Sequence, residues 1–246
     1  MNITFITSTF PTPSQLQLNA LYSWGLAQIP VVVAGRLDDP PKLIARFPNV
    51  VHVPKTRTAW DMGVLSGAPL VKDIIANSLP LVQTQMVGLI NADILIKEDF
   101  KDVMERVVSK HGCNIFLSGP RYDIAGNVTI STPDVLRMQF KTNRQHPDTS
   151  GDIFISSKSN FEALAKEMPD FFLGRLLWDN WIHLWFSKKG IPCFNTNPLL
   201  PTFHQSHDYS HISGELTKDP AVQHNLSIPC DRSNILKLNK WPSVTV

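Results

Sequence analysis

The run Ile29-Pro30-Val31-Val32-Val33-Ala34-Gly35 is apolar without a break. A strand that is apolar on both faces belongs in the middle of a parallel sheet covered by helices on each side. No other feature constrains the fold as strongly. Shorter runs of the same kind recur at Asn2 to Thr9, Val50-Val51-His52-Val53 and Met86 to Ile90. Between them, apolar residues fall at helical spacing. Leu16, Ala20, Leu21 and Trp24 make one such set. Val71, Ile74 and Ile75 lie inward on a helix over about Pro69 to Ser78, and Phe100, Val103, Met104, Val107 and Val108 precede a stop at Gly112. Strand alternating with helix predicts an α/β sheet. The first helix reads as capped by Thr12, with Pro13 at its first position and Gln15 closing a capping box.

Ligands of such sheets gather at the carboxyl ends of the strands. Three polar strand ends therefore qualify: Ser8-Thr9 with Pro11, Gly35-Arg36 with Asp38 and Asp39, and Asn91 with Asp93. The second half is less regular. Asn114 to Ser118 and Asp152 to Ser156 read as strands, with a polar stretch from Ala125 to Ser150 between them. Phe161 to Met168 and the strongly apolar Gly174 to Lys188 read as helices, and Pro192 to Asn195 and Pro201 to Phe203 as short strands. From Glu215 the tail is polar and reads as partly ordered. No composition shift marks a linker, so one domain is expected, with a nucleotide-binding half at about 1–112 and an acceptor half at about 113–246.

Several classes are disfavoured. No apolar run approaches the roughly 20 residues of a membrane span, and Met1 to Pro13 lacks the basic leader of a signal peptide. Three distant cysteines without a C-x-x-C argue against a disulfide framework or zinc ribbon, so a cytoplasmic setting is expected. A Walker loop, a G-x-G-x-x-G and a G-x-S-x-G are all absent, which argues against ATPases, dinucleotide enzymes and serine hydrolases. The formal net charge of +2 neither demands nor excludes nucleic acid. The basic residues fall in small groups: Lys55 with Arg57, Lys141 with Arg144, Lys188 with Lys189, Lys237 with Lys240.

Four stretches offer chemistry. In Asn91-Ala92-Asp93, a carboxylate follows a buried strand, where it either caps the next turn or holds a hard cation such as magnesium or manganese. In Trp178-Asp179-Asn180-Trp181, the polar pair interrupts a helix whose Trp178, Trp181, Ile182 and Trp185 share a face. Asp179 borders that face; it either pairs with Arg175, four residues earlier, or serves as a general base. The segment HQSHDYSH carries His204, His207, Asp208, Tyr209 and His211. Pro201 before it, and Tyr209, Ser210, Ser213 and Gly214 within or after it, disfavour a helix. A strand end running into a loop is expected, and one histidine helping Asp93 hold a divalent ion is more economical than a three-histidine zinc site. Arg121-Tyr122-Asp123, taken alone, reads as a surface turn.

In this order the pieces resemble a glycosyltransferase of the GT-A type over about residues 1–212. The resemblance is carried by Ser8-Thr9-Phe10-Pro11, Val31 to Asp39, Asn91-Ala92-Asp93, Trp178-Asp179-Asn180-Trp181 and His204 to His211. It implies a single Rossmann-like domain with a mostly parallel sheet flanked by helices. It also implies a divalent metal, manganese or magnesium, and a nucleotide-sugar donor, UDP-glucose by default. Asn91-Ala92-Asp93 falls at the place of the DxD motif, with asparagine for the first acid. Asp93 would bind metal and Asn91 a ribose or sugar hydroxyl. The resemblance further implies that Asp179 is the catalytic base of an inverting hexosyl transfer. His204 or His207 completes the metal shell, His204 by slight preference, since it leaves a strand. Thr9, Pro11, Arg36 and Asp38 hold base and ribose. Arg121 or Arg175 assists at phosphate or sugar, and Trp178, Asn180, Asp208 and Tyr209 shape the acceptor side.

More loosely, the chain is similar to bacterial and phage enzymes related to the base-J-type glucosyltransferases. That implies 5-hydroxymethylpyrimidine in DNA as one acceptor, a flipped base and steep salt dependence, with a saccharide or other glycan as the alternative. Phage origin would place the protein in host cytoplasm. No protein partner is evident. Two rivals remain: a metal-dependent phosphoester hydrolase or nucleotidyltransferase using the histidines with Asp208, and a non-catalytic nucleotide-sugar binder.

Overall fold

A computed structural model describes residues 3–141, 143–146, 151–207, 218–230 and 240–246. The first half runs β1 (Ile3–Thr7), α1 (Gln15–Leu26), β2 (Val31–Ala34), α2 (Pro40–Arg46), β3 (Val50–Val53), α3 (Val71–Ser78), β4 (Met86–Ile90), β5 (Ile94–Leu95) and α4 (Phe100–His111). The second runs β6 (Phe116–Ser118), β7 (Tyr122–Ile124), α5 (Pro133–Gln139), β8 (Arg144–Gln145), β9 (Ile153–Ser157) and α6 (Lys158–Glu167). It ends with α7 (Trp178–Lys188), β10 (Cys193–Asn195), β11 (Phe203–Gln205) and α8 (Pro220–Ser227).

Strands of both halves build one seven-stranded sheet, ordered β10-β6-β9-β4-β1-β2-β3. It is parallel except at β9, which runs against both β4 and β6. Successive strand residues point to opposite faces, and both faces are covered. On one, Phe5, Leu117 and Ile155 pack with Trp24 and Phe100. On the other, Ile6, Phe116 and Phe154 pack with Ile74, Ile75 and Phe186. This two-sided burial is what the uninterrupted apolar runs encode. Gly88, in the middle of β4, has no room for a side chain: a Cβ there would lie 2.8 Å from the Phe5 ring. That ring is fixed edge-on against Trp24 and Phe100. Gly88→Ala should therefore cost about 1–3 kcal/mol by overpacking, measured by urea unfolding.

A second sheet, β5-β11-β7-β8, stands at the carboxyl end of β4. Two of its strands, β7 and β8, come from or border the stretch read as polar and featureless. Within that stretch Thr132 also caps α5, with Pro133 at its first position.

Three local expectations are corrected, and one helix is added. The cap of α1 is Ser14, not Thr12: Ser14 and Gln17 form the capping box, while the Thr12 hydroxyl donates to Asp38 Oδ2 at 2.6 Å and Gln15 donates to Asn19. The helix expected from Gly174 begins only at Trp178, because Gly174 (φ 67°) and Leu177 (φ 77°) are left-handed. β11 begins at Phe203, not Pro201. The polar tail contains α8, capped by Asp219 with Pro220 at N1. No described helix is long and apolar enough to cross a membrane.

Candidate active site

β4 ends at Ile90, and the chain turns through Asn91-Ala92-Asp93 into β5. β11 pairs with β5 so that His204 lies opposite Ile94, and with β7 so that His204 lies beside Asp123. Gln205 locks the turn: its amide donates to the Asp93 and Leu16 carbonyls at 2.9 Å each and accepts from Asn19 at 2.7 Å. Residues far apart in the chain are thus fixed around one carboxylate.

That carboxylate is Asp93. Its Oδ2 lies 3.0 Å from His207 Nε2 and 3.4 Å from His204 Nε2. One ligand atom from each residue can be chosen so that all lie within 4.8 Å of one another. Asp93 Oδ1 is buried and has no hydrogen-bond partner, an arrangement that costs free energy unless something fills it. Burial by itself raises the Asp93 pKa, but the two histidine hydrogen bonds outweigh it and hold the group well below the usual carboxylate range. One carboxylate, two imidazoles and an orphaned oxygen are a donor set that fits a divalent ion.

Behind this cluster lies a chain of charges. Asn91 donates to Asp152 Oδ1 at 2.6 Å, and Arg121 holds Asp152 Oδ2 at 2.8 Å and Asp123 Oδ1 at 3.1 Å. Asp123 also meets His204 Nδ1 at 3.2 Å and His146 Nδ1 at 2.8 Å. Burial works against both groups; the Asp152, Asp123 and Asp93 charges raise the Arg121 pKa despite it, and His146 and Arg121 depress that of Asp123. Arg121 and Asp123 are therefore part of the site, not a surface turn. Asp152 and His146 were not singled out in the sequence. Asp152 joins because β9 runs antiparallel to β4, so the residue before β9 meets the residue after β4.

Asp179 lies in the first turn of α7, two residues after left-handed Leu177. Its side chain is only partly covered at the surface but deeply set. Burial, with the Asp152 charge adding to it, pushes its pKa up to about 7 against the Asn180 N–H, its own backbone and Arg121. Asp179 thus shares the electrostatic environment of Arg121 and Asp152. It does not pair with Arg175. That guanidinium instead donates to Asp219 Oδ1 and Ser66 Oγ, each at 3.1 Å, with both partners of the ion pair at least 94% covered (side-chain exposures 6% and 4%). Arg175 is a buried brace between α8 and the loop before α3, which corrects its placement at phosphate or sugar. Arg175→Ala would strand Asp219 and should cost about 3–5 kcal/mol, read by urea unfolding. Trp178 is likewise buried, against Phe154, so it supports α7 and does not line an acceptor cleft. Asn180 is half-buried in the first turn of α7.

At the neighbouring strand ends, Thr9 Oγ1 is buried without a partner. Pro11 accepts from the Asp38 N–H at 2.9 Å, and exposed Arg36 pairs with Asp38 at 3.3 Å. These groups end β1, next to β4 in the sheet, and β2, one strand further out. Asp208, Tyr209 and His211 lie outside the described residues.

No protein-family model matches the sequence, and no curated protein matches it. Solved structures do. The 1–349 fragment of S. aureus TarS in complex with UDP-GlcNAc superposes with a TM-score of 0.57 at 12% identity, over 86% of this chain and 60% of that one. GalNAc-T7 with UDP, GalNAc and Mn2+ superposes with a TM-score of 0.58 at 11% identity, over 92% of this chain and 47% of that one. The fold is GT-A. TarS 1–349 with UDP gives a TM-score of 0.53 over 84% of this chain and 61% of that one. At such identities the likeness is one of fold, and this GT-A chain spans about half to three-fifths of the length of the proteins it matches.

Proposed function

We propose that this chain is a metal-dependent glycosyltransferase that moves a hexose from a UDP-sugar to an acceptor hydroxyl with inversion. One juxtaposition supports the reading best: the Asp93–His204–His207 cluster and a base-competent Asp179 share one end of a GT-A sheet. UDP is favoured because the TarS and GalNAc-T7 structures carry UDP or a UDP-sugar.

Asp93, His204 and His207 would hold the ion. When bound, it supplies positive charge against the leaving diphosphate. Two imidazoles beside one carboxylate favour manganese over magnesium. Thr9, Pro11, Arg36 and Asp38 end the strands beside this cluster, where base and ribose would lie. Asn91 and Arg121, through Asp152, keep a fixed polar wall next to the sugar position. Asp179 takes the proton of the acceptor hydroxyl, and a pKa near 7 suits that work at neutral pH. Attack opposite the diphosphate inverts the anomeric carbon.

For the acceptor, a glycan hydroxyl fits better than 5-hydroxymethylpyrimidine in DNA. One member of each of two small basic groups is already paired, Arg57 with Asp73 and Lys189 with Glu167, which leaves them less free charge for DNA phosphates. The test supplies UDP-glucose or UDP-GlcNAc with Mn2+, and either hydroxymethylated DNA or a saccharide panel. UDP release and a mass increase of the acceptor by one hexose or N-acetylhexosamine are read by mass spectrometry. Mn2+-dependent transfer supports the reading; phosphate release with no sugar transfer would favour a hydrolase, and donor binding without product a non-catalytic binder.

A further inference from the structure

Asp123 is the most heavily held carboxylate near the proposed metal cluster, with three side-chain partners. The β7–β11 register sets it beside His204. Its Oδ1 lies 3.2 Å from His204 Nδ1 and 3.1 Å from Arg121 Nε, and its Oδ2 lies 2.8 Å from His146 Nδ1. His204 itself is only 8% exposed and points its other nitrogen, Nε2, at Asp93.

We propose that Asp123 is a positioning residue for the metal site, holding His204 in the one ring orientation and tautomer that present a bare Nε2 to a divalent ion. The inference rests on reading Asp93, His204 and His207 as metal ligands. An imidazole can ligate through Nε2 only if that nitrogen carries no proton, so its proton must reside on Nδ1. A carboxylate accepting from Nδ1–H fixes that choice and raises the basicity of the ligating nitrogen. Arg121 and His146 serve the same end one step back. By donating to both carboxylate oxygens they prevent Asp123 from rotating away. The sequence places these residues at 121, 123, 146 and 204, so only the pairing of β7 with β8 and β11 reveals the relay.

Mn2+ binding to the whole chain, followed by loss of the free-ion EPR signal, tests this without any turnover. The wild type should take up one ion. Asp123→Ala should weaken Mn2+ binding about 10- to 100-fold, with the metal-free melting curve showing that the variant is folded. Asp123→Asn keeps an acceptor oxygen for Nδ1–H and should lose less than the alanine variant; it carries the test alone if Asp123→Ala does not fold. Equal affinity in the wild type and in the folded variants would overturn the positioning role and leave the metal site standing. A wild type that takes up no Mn2+ would overturn the metal site and this inference with it.

Discussion

Asp179→Asn is expected to reduce transfer by about 10²–10⁴-fold while leaving UDP-sugar binding unchanged. Asparagine keeps the shape of the side chain and its place at the start of α7, but it cannot accept a proton. The wild-type rate should rise about tenfold per pH unit below 7 and level off above it, because burial holds the Asp179 pKa near 7. The variant's residual rate should lack that limb. Stability should move the opposite way. The folded pKa lies above the unfolded value, so the wild type loses stability as pH rises from about 4 through 7, where the buried carboxyl must ionise. At about 1.4 kcal/mol per pKa unit, the asparagine variant should be the more stable by up to a few kcal/mol at pH 8, and equal to the wild type near pH 3. Urea unfolding at the two pH values reads the difference. Near-wild-type transfer by Asp179→Asn would remove the base from the mechanism.

Asp93→Asn should have an effect of the same order on transfer, with a different signature. The substitution removes the only carboxylate of the Asp93–His204–His207 cluster. Two imidazoles remain, and the charge that balances a divalent ion is gone. Mn2+ uptake should be strongly weakened, and transfer should fall by about 10²–10³-fold or more, as when a transition-state charge loses its stabilising partner. Excess Mn2+ should restore part of the activity of a variant with weakened binding, but none to Asp179→Asn. Kinetics at two metal concentrations therefore separate the two roles.

Much of this site could be read from the sequence, for a physical reason. Strands buried on both faces leave uninterrupted apolar runs, so β1, β2 and β4 and their polar ends stood out, and with them Asp93. Asp179 stood out as a charge inside an apolar helix. His204 and His207 stood out by density, and both meet Asp93. Asp152 and His146 were not legible. Their roles depend on which strands lie side by side, and an antiparallel β9 between parallel neighbours leaves no local mark. The Arg175–Asp219 pair was hidden likewise, since an arginine four residues before an aspartate also fits an intrahelical pair. The left-handed backbone at Gly174 and Leu177 breaks that spacing. The start of α8, by contrast, carried a readable Asp-Pro signal that the polar composition around it masked.

The most direct test of the proposed metal-dependent donor site needs no knowledge of the acceptor. Calorimetric titration of the protein with a UDP-sugar, with and without Mn2+, should show binding that strengthens when the ion is present and that Asp93→Asn loses. Binding of equal strength with and without Mn2+, or unaffected by Asp93→Asn, would contradict the account.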